Sequence, residues 1–162
     1  MTVHVSATTG CNLGCTYCYE NPDRERSENW AKRQYDIEKI MQKLKFFKKK
    51  HPHESPGLHG GEPLLMDRDD IRRIFSWINN NYDSTPHIQT NATLVDEEII
   101  EIFKEHNVGV GVSCDGPEEL NQLRKASGEV EKKRAKVTDK LTEQTHEAVT
   151  RILDEGISGG GI

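Results

Sequence analysis

The chain has 162 residues, one domain's worth at the usual ~100–200 residues per domain, and its 22 Lys and Arg against 27 Asp and Glu leave a formal net charge of -5. That mild acidity offers no electrostatic footprint for nucleic acid or an anionic membrane, and no apolar run approaches the ~20 residues that span a bilayer. The polar start at Met1–Ala7 does not read as a secretion signal, so the expected compartment is the cytoplasm, with no membrane and no nucleic acid among the partners.

In chain order, Val3–Ala7 predicts a first strand, followed by a Gly- and Cys-rich loop from Thr9 to about Pro22. Ile37, Ile40, Met41 and Leu44 recur at i, i+3, i+4 and i+7, one face of a helix. The run Lys45, Lys48, Lys49, Lys50 and His51 before Pro52 reads as its solvated end, where positive charge complements the dipole. A short strand near Gly57–His59 leads into Gly60-Gly61-Glu62-Pro63, and a second helix carries Ile71, Ile74, Phe75, Ile78 and Tyr82 on one face. His87–Thr90 is a third strand. Asp96 caps a third helix holding Ile99, Ile100 and Phe103. Val108–Ser113 is a fourth strand, and Val137, Leu141, Val149, Ile152 and Leu153 predict a last helix ending at Gly156.

This βαβαβαβα order predicts an α/β fold with a parallel sheet. A closed eight-unit barrel takes ~250 residues, so about four units give a partial TIM-like barrel, with Ile157–Ile162 starting a fifth strand. Residues 1–162 are expected to be the N-terminal part of one core domain, with later strands and any C-terminal domain absent. In such folds chemistry gathers at the C-terminal ends of the strands, and each of these strands ends in something unusual: the cysteine loop, Gly60-Gly61-Glu62, Thr90-Asn91, and Ser113-Cys114-Asp115-Gly116.

Cys11, Cys15 and Cys18 put three thiols on one short loop. In a reducing compartment such clustering points to a metal site or redox chemistry. Structural zinc takes four ligands, here completed only by recruiting His4 or His59. Three thiolates without an obvious fourth suit a [4Fe-4S] cluster with one iron left open. Cys114 is expected to be a small core residue, because Val110, Val112 and Cys114 share the helix-facing side of strand four. Gly109, Gly111 and Ser113 face the lumen, which that geometry leaves empty.

Cys-x3-Cys-x2-Cys with Tyr17 before the third cysteine, followed by His59-Gly60-Gly61-Glu62-Pro63-Leu64-Leu65, resembles the two signatures of radical S-adenosylmethionine (radical SAM) enzymes. Gln89-Thr90-Asn91-Ala92-Thr93-Leu94 and Ser113-Cys114-Asp115-Gly116-Pro117 resemble the branch holding anaerobic sulfatase-maturating enzymes and related peptide maturases, with Ala92 standing where that branch usually has glycine. The resemblance implies that Cys11, Cys15 and Cys18 hold three irons and leave the fourth for S-adenosylmethionine. It implies that Gly60 and Gly61 let backbone approach the cofactor and that Glu62 accepts from its ammonium. It places Tyr17 near the adenine, Asn91, Ser113 and Asp115 near the ribose and carboxylate, and Arg124 on the carboxylate. The implied reaction is reductive cleavage to a 5′-deoxyadenosyl radical that abstracts hydrogen from a peptide or protein, with a flavodoxin or ferredoxin as reductant.

Plainer readings stand beside these. Gly60-Gly61-Glu62-Pro63 is also a tight turn, Asn91 and Asp115 are also turn residues, Ser113 a lumen filler and Arg124 part of a charged stretch. Trp30 and Trp77 read as packing residues, and His51, His53, His106 and His146 as solvated. Two further hypotheses for the chain are a catalytically incompetent fragment of such an enzyme and a zinc-binding interaction module.

Overall fold

The computed structural model describes residues 3–19, 35–121, 123–124 and 131–159. Trp30, the far end of the cysteine loop and residues 160–162 lie outside that set, as does the side chain of Val137. Four strands, β1 (Val3–Thr8), β2 (Pro56–Gly60), β3 (His87–Thr90) and β4 (Gly109–Val112), alternate with helices α1 (Ile37–Lys50), α2 (Arg68–Asn81), α3 (Glu97–Glu105) and α4 (Glu131–Asp154). The sheet runs β1-β2-β3-β4 with every pairing parallel. The α/β expectation of an open, partly built barrel holds. The expected fifth strand begins where predicted: Gly159 bridges Val110 in parallel, and the Val110 amide donates to the Ser158 carbonyl at 3.0 Å.

The register explains how the two faces differ. Val5, Leu58, Ile88 and Val110 are aligned across all four strands and are buried. Against that side pack Ile40, Met41 and Leu44 of α1, Ile71, Ile74, Phe75 and Ile78 of α2, and Ile99, Ile100, Ile102 and Phe103 of α3. Asp36 and Asp96 cap α1 and α3, their carboxylates accepting from the amides of Lys39 and Ile99. Burial alone would raise the Asp96 carboxyl, but the Ile99 amide and the Arg68 guanidinium outweigh it and hold it below the usual carboxylate range.

The row one residue earlier is His4, Gly57, His87 and Gly109. Here the sequence expectation needs correcting, because the glycine side of β4 is not empty. A Cβ on Gly109 would lie 2.4 Å from His87 Nδ1, and one on Gly111 would lie 2.2 Å from Gln89 Oε1. The missing side chains make room for the side chains of the neighbouring strand.

Two smaller expectations also change. His106 is buried, 7% exposed, and its ring lies 6.2 Å from that of Phe75; the turn that closes α3 folds it back under α2, where Asn79 donates to its carbonyl. Leu153 is 59% exposed, because Ala148 and Ile152 carry the face of α4 that meets the core. Leu141, nearer the start of α4, packs instead against Cys11, Leu13 and Cys15. Cys114 and Trp77, as expected, pack at the edge of the main core.

Candidate functional site

The rim above β1 and β2 is built by two loops stacked backbone to backbone. The Gly61 amide donates to the Thr8 carbonyl and the Glu62 amide to the Gly10 carbonyl, both at 2.8 Å. Gly60 sits at φ +131, where L-residues are strained, and a Cβ on it would come within 2.5 Å of the Thr8 carbonyl; on Gly61 it would come within 2.0 Å of the Gly10 carbonyl. Both glycines are therefore required by the close approach of the cysteine loop. Beyond Gly10 the loop turns tightly: the Leu13 amide donates to Cys11 Sγ at 3.4 Å and the Cys18 amide to the Cys15 carbonyl at 3.2 Å. Cys11 and Cys15 are buried, Cys18 half-buried, and all four cysteines are free thiols.

One cavity collects most of the predicted residues. Cys11, Cys15, Cys18, Tyr17, Gly60 and Gly61 line it, together with Asn91, Ser113 and Arg124 from the loops after β3 and β4. His59, Tyr19, Leu13, Gln89 and Thr90 line it as well. Sequence reasoning gave no role to Gln89 or Thr90. Gln89 donates to Ser113 Oγ at 2.8 Å, and the signal that could have found it is its place two residues after His87 on the lumen face.

Glu62 is held by the protein itself. It is fully buried and does not line the cavity. Its carboxylate caps the short 3-10 turn Pro63–Leu65, Oε1 accepting from the Leu64 amide at 3.0 Å and from Thr90 Oγ1 at 2.7 Å, while Oε2 accepts from the Asn91 amide at 2.7 Å. Burial pushes this carboxyl above the usual carboxylate range, against the pull of those donors. Glu62 thus clamps the β2 and β3 loops together.

Asn91, which lines the cavity, is held in a similar way. It is 6% exposed, and its carboxamide is spent on the cysteine loop. Nδ2 donates to Asn12 Oδ1 at 2.9 Å and reaches Cys11 Sγ at 3.9 Å, while Oδ1 accepts from the Thr93 amide and hydroxyl.

Asp115 also turns from the cavity. Its Oδ2 accepts from the Tyr17 hydroxyl at 2.5 Å and its Oδ1 from Arg124 Nη2 at 2.9 Å, and the guanidinium lies 5.7 Å from the Tyr17 ring centre. Burial raises the Asp115 carboxyl, but Arg124 and Tyr17 prevail and hold it low; burial and the Asp115 hydrogen bond push the Tyr17 phenol well above its ordinary value. A backbone bond from the Thr16 amide to the Leu123 carbonyl closes the same seam. Arg124 itself lines the cavity, and its Nε is buried with no hydrogen-bond partner among the described residues. That orphaned donor beside three thiols and a bare glycine wall is what an anionic ligand group bound next to a metal centre would use. Among the described residues no three His, Cys, Asp or Glu side chains converge on a point for a single metal ion.

The profile of the Radical SAM superfamily matches residues 5–160. An uncharacterized protein of Methanocaldococcus jannaschii is 34% identical over 128 residues, which is 74% of this chain and 40% of that protein. The cysteine-type anaerobic sulfatase-maturating enzyme of Clostridium perfringens is 31% identical over 127 residues, 74% of this chain and 34% of the enzyme. The solved structure of native anSMEcpe with bound AdoMet has a TM-score of 0.74 at 23% identity, over 99% of this chain and 43% of that one, and so shares its fold. The chain spans less than half the length of each of these relatives. No helix among the described residues is long and apolar enough to cross a membrane. With a profile matched from the first strand to the start of the fifth, the chain belongs to the radical SAM superfamily.

Proposed function

We propose that this chain is the cofactor-binding part of a radical SAM enzyme acting on a peptide or protein, and that residues 1–162 are the first part of a longer core domain. The observation that carries the reading is one cavity holding Cys11, Cys15 and Cys18 with the Gly60-Gly61 wall, Ser113 and an unspent Arg124 donor. In this reading the three thiolates hold three irons of a [4Fe-4S] cluster. Such a cluster would supply the electron for reductive cleavage of S-adenosylmethionine to methionine and a 5′-deoxyadenosyl radical, which would abstract hydrogen from the substrate.

The chain's own residues bind and orient. Arg124 offers its guanidinium to the cofactor carboxylate, because a planar fork matches a carboxylate, and Asp115 with Tyr17 holds that guanidinium in place. Ser113, oriented by Gln89, meets the cofactor's polar edge, and the Tyr17 ring borders the space for the adenine. Gly60 and Gly61 keep the wall thin, and Glu62 serves by positioning the loops on either side of it. The structure of anSMEcpe holding AdoMet and the Cp18Cys peptide supports a peptide as the substrate class. A flavodoxin or ferredoxin as reductant, and the cytoplasm as compartment, follow from the need for electrons and for free thiols.

Anaerobic reconstitution with iron and sulfide tests this directly. The expected result is a visible-region iron–sulfur absorption and about four irons per chain, both lost in Cys11→Ala, Cys15→Ala or Cys18→Ala. A protein that stays colourless, or that takes up one zinc and no iron, would overturn the reading. Arg124→Ala should keep the cluster and weaken S-adenosylmethionine binding by about 1.5–3 kcal/mol, the worth of a hydrogen bond to a charged group. The chain's coverage of less than half of its relatives favours a second reading, binding without turnover. Release of 5′-deoxyadenosine by the reconstituted chain with dithionite rejects it.

A further inference from the structure

We propose that Asn91 is a positioning residue for the Cys11 thiolate, and that its side-chain N–H sets the reduction potential of the iron–sulfur centre this loop holds; this rests on the cluster-binding reading above. The geometry fixes which way the carboxamide faces. The Thr93 backbone amide is an obligatory donor and points at one terminal atom of Asn91 at 3.0 Å, so that atom is the oxygen. The NH2 group is therefore the end that meets Cys11 Sγ at 3.9 Å and Asn12 Oδ1 at 2.9 Å.

The orientation is locked by a closed ring of hydrogen bonds. Asn12 Nδ2 donates to Thr93 Oγ1 at 2.8 Å, Thr93 Oγ1 donates to Asn91 Oδ1 at 2.7 Å, and Asn91 Nδ2 returns to Asn12 Oδ1. The ring joins the cysteine loop to the loop after β3 behind a residue that is 6% exposed. The Asn91 amide, donating to Glu62 Oε2 at 2.7 Å, anchors it from below. Among the described residues, the Leu13 amide and Asn91 Nδ2 both donate to Cys11 Sγ. Of these, the Asn91 bond can be removed by changing a side chain alone. Donors aimed at a ligating sulfur draw off negative charge and stabilise the reduced centre, which carries one electron more, so they raise its potential.

The test is an EPR-monitored redox titration of the reconstituted chain and of Asn91→Ala, Asn91→Asp and Asn12→Ala, with iron content measured on each. Loss of the donor in Asn91→Ala should make reduction about threefold to tenfold less favourable, and tenfold is about 59 mV for a one-electron couple. Asn91→Asp, nearly the same shape, places a carboxylate oxygen toward the sulfur and should shift the potential further negative. Asn12→Ala breaks the ring but leaves the sulfur's donor, and should move the potential least. That order separates the hydrogen bond from a tether, which Asn12→Ala would disturb as much. Equal potentials in all four proteins overturn the inference while leaving the cluster reading intact. Equal shifts in the Asn12 and Asn91 variants overturn it in favour of a purely structural ring. Loss of iron from both Asn91 variants, with native circular dichroism, assigns the residue to cluster assembly and overturns it too. No cluster in the unaltered chain ends both readings together.

Discussion

The two faces of the four-stranded sheet follow opposite construction rules. Toward the helices the aligned residues Val5, Leu58, Ile88 and Val110 are all apolar, all buried, and similar in size. Toward the lumen the preceding row reads His4, Gly57, His87, Gly109, large beside absent, with each imidazole leaning on the next strand's glycine. The first face is held by area removed from water, which needs only apolar bulk. The second keeps polar side chains by leaving out neighbours, so its stability depends on volumes that must match pair by pair. A fold that gathers chemistry on one side of a sheet needs this asymmetry, because ligand-handling groups are poor core material.

Breaking the apolar row should have the largest effect on folding. Leu58 is 1% exposed in the middle of the sheet, so Leu58→Ala should lower unfolding free energy by about 2–5 kcal/mol, read by urea titration. His87→Ala in the adjoining row removes a side chain that makes no such core contact, and should cost well under half of that. Equal losses at the two positions would dissolve the distinction between the faces.

The rim where the two faces end is probed by its two carboxylates, which titrate in opposite senses. Glu62 faces three donors, so Glu62→Gln sets an N–H against one of them and should cost about 1–3 kcal/mol, the penalty of an unsatisfied buried donor. Its folded value is raised above 4.5 by burial, so the stability it gives is full below pH 4.5 and declines as pH rises through the folded value. The gap between wild type and the Gln variant should narrow over that range. Asp115 is held below 3.8 once Arg124 and Tyr17 overcome its burial, so its contribution is present above pH 3.8 and is lost as pH falls through the folded value. Asp115→Asn should flatten that acid limb. A gap that widens with pH in the Gln variant would mean the Glu62 carboxyl is held low.

The lumen row is tested by filling one of its gaps. Gly109→Ala places a methyl 2.4 Å from His87 Nδ1, an overpacking worth about 1–3 kcal/mol, and His87→Ala in the same chain should restore most of it. A double-mutant cycle measures that coupling. Additive losses would mean the glycine is needed for its backbone and not for the room it leaves.

These contrasts also mark what the sequence could and could not convey. Strand and helix positions were legible because Ile71, Ile74, Phe75 and Ile78, or Ile99, Ile100 and Phe103, keep a helical period that only burial on one face explains. The cysteine loop and Gly60-Gly61 stand out in the sequence, since three thiols at short spacing have few other uses, and the structure stacks the two loops backbone to backbone. The partners of the remaining site residues were not legible. Glu62, Asn91, Asp115 and Arg124 each offer polar atoms that suit a ligand or a neighbouring loop equally well, and only long-range geometry decides between Thr90, 28 residues from Glu62, and a cofactor. Gly109 and Gly111 look like empty space in the sequence because the pattern of one strand does not record which side chains lean in from the next.

The smallest expected effect lies at Ala92, between Asn91 and Thr93 in the ring that steadies the cysteine loop. Its φ of +61 is left-handed, a conformation that costs an L-residue roughly 1–2 kcal/mol, so glycine would relieve strain there. The Ala92 methyl is also 1% exposed in the main core. Deleting it forfeits about 0.8 kcal/mol of burial, and glycine adds about 0.5–1 kcal/mol of chain entropy to be lost on folding. The terms oppose, so Ala92→Gly should change unfolding free energy by no more than about 0.5 kcal/mol in denaturant titration. A gain above about 1 kcal/mol would mean the methyl packs poorly and strain dominates. A loss of that size would place Ala92 with the apolar face of the sheet, holding the Asn91 loop down by burial instead of by its turn.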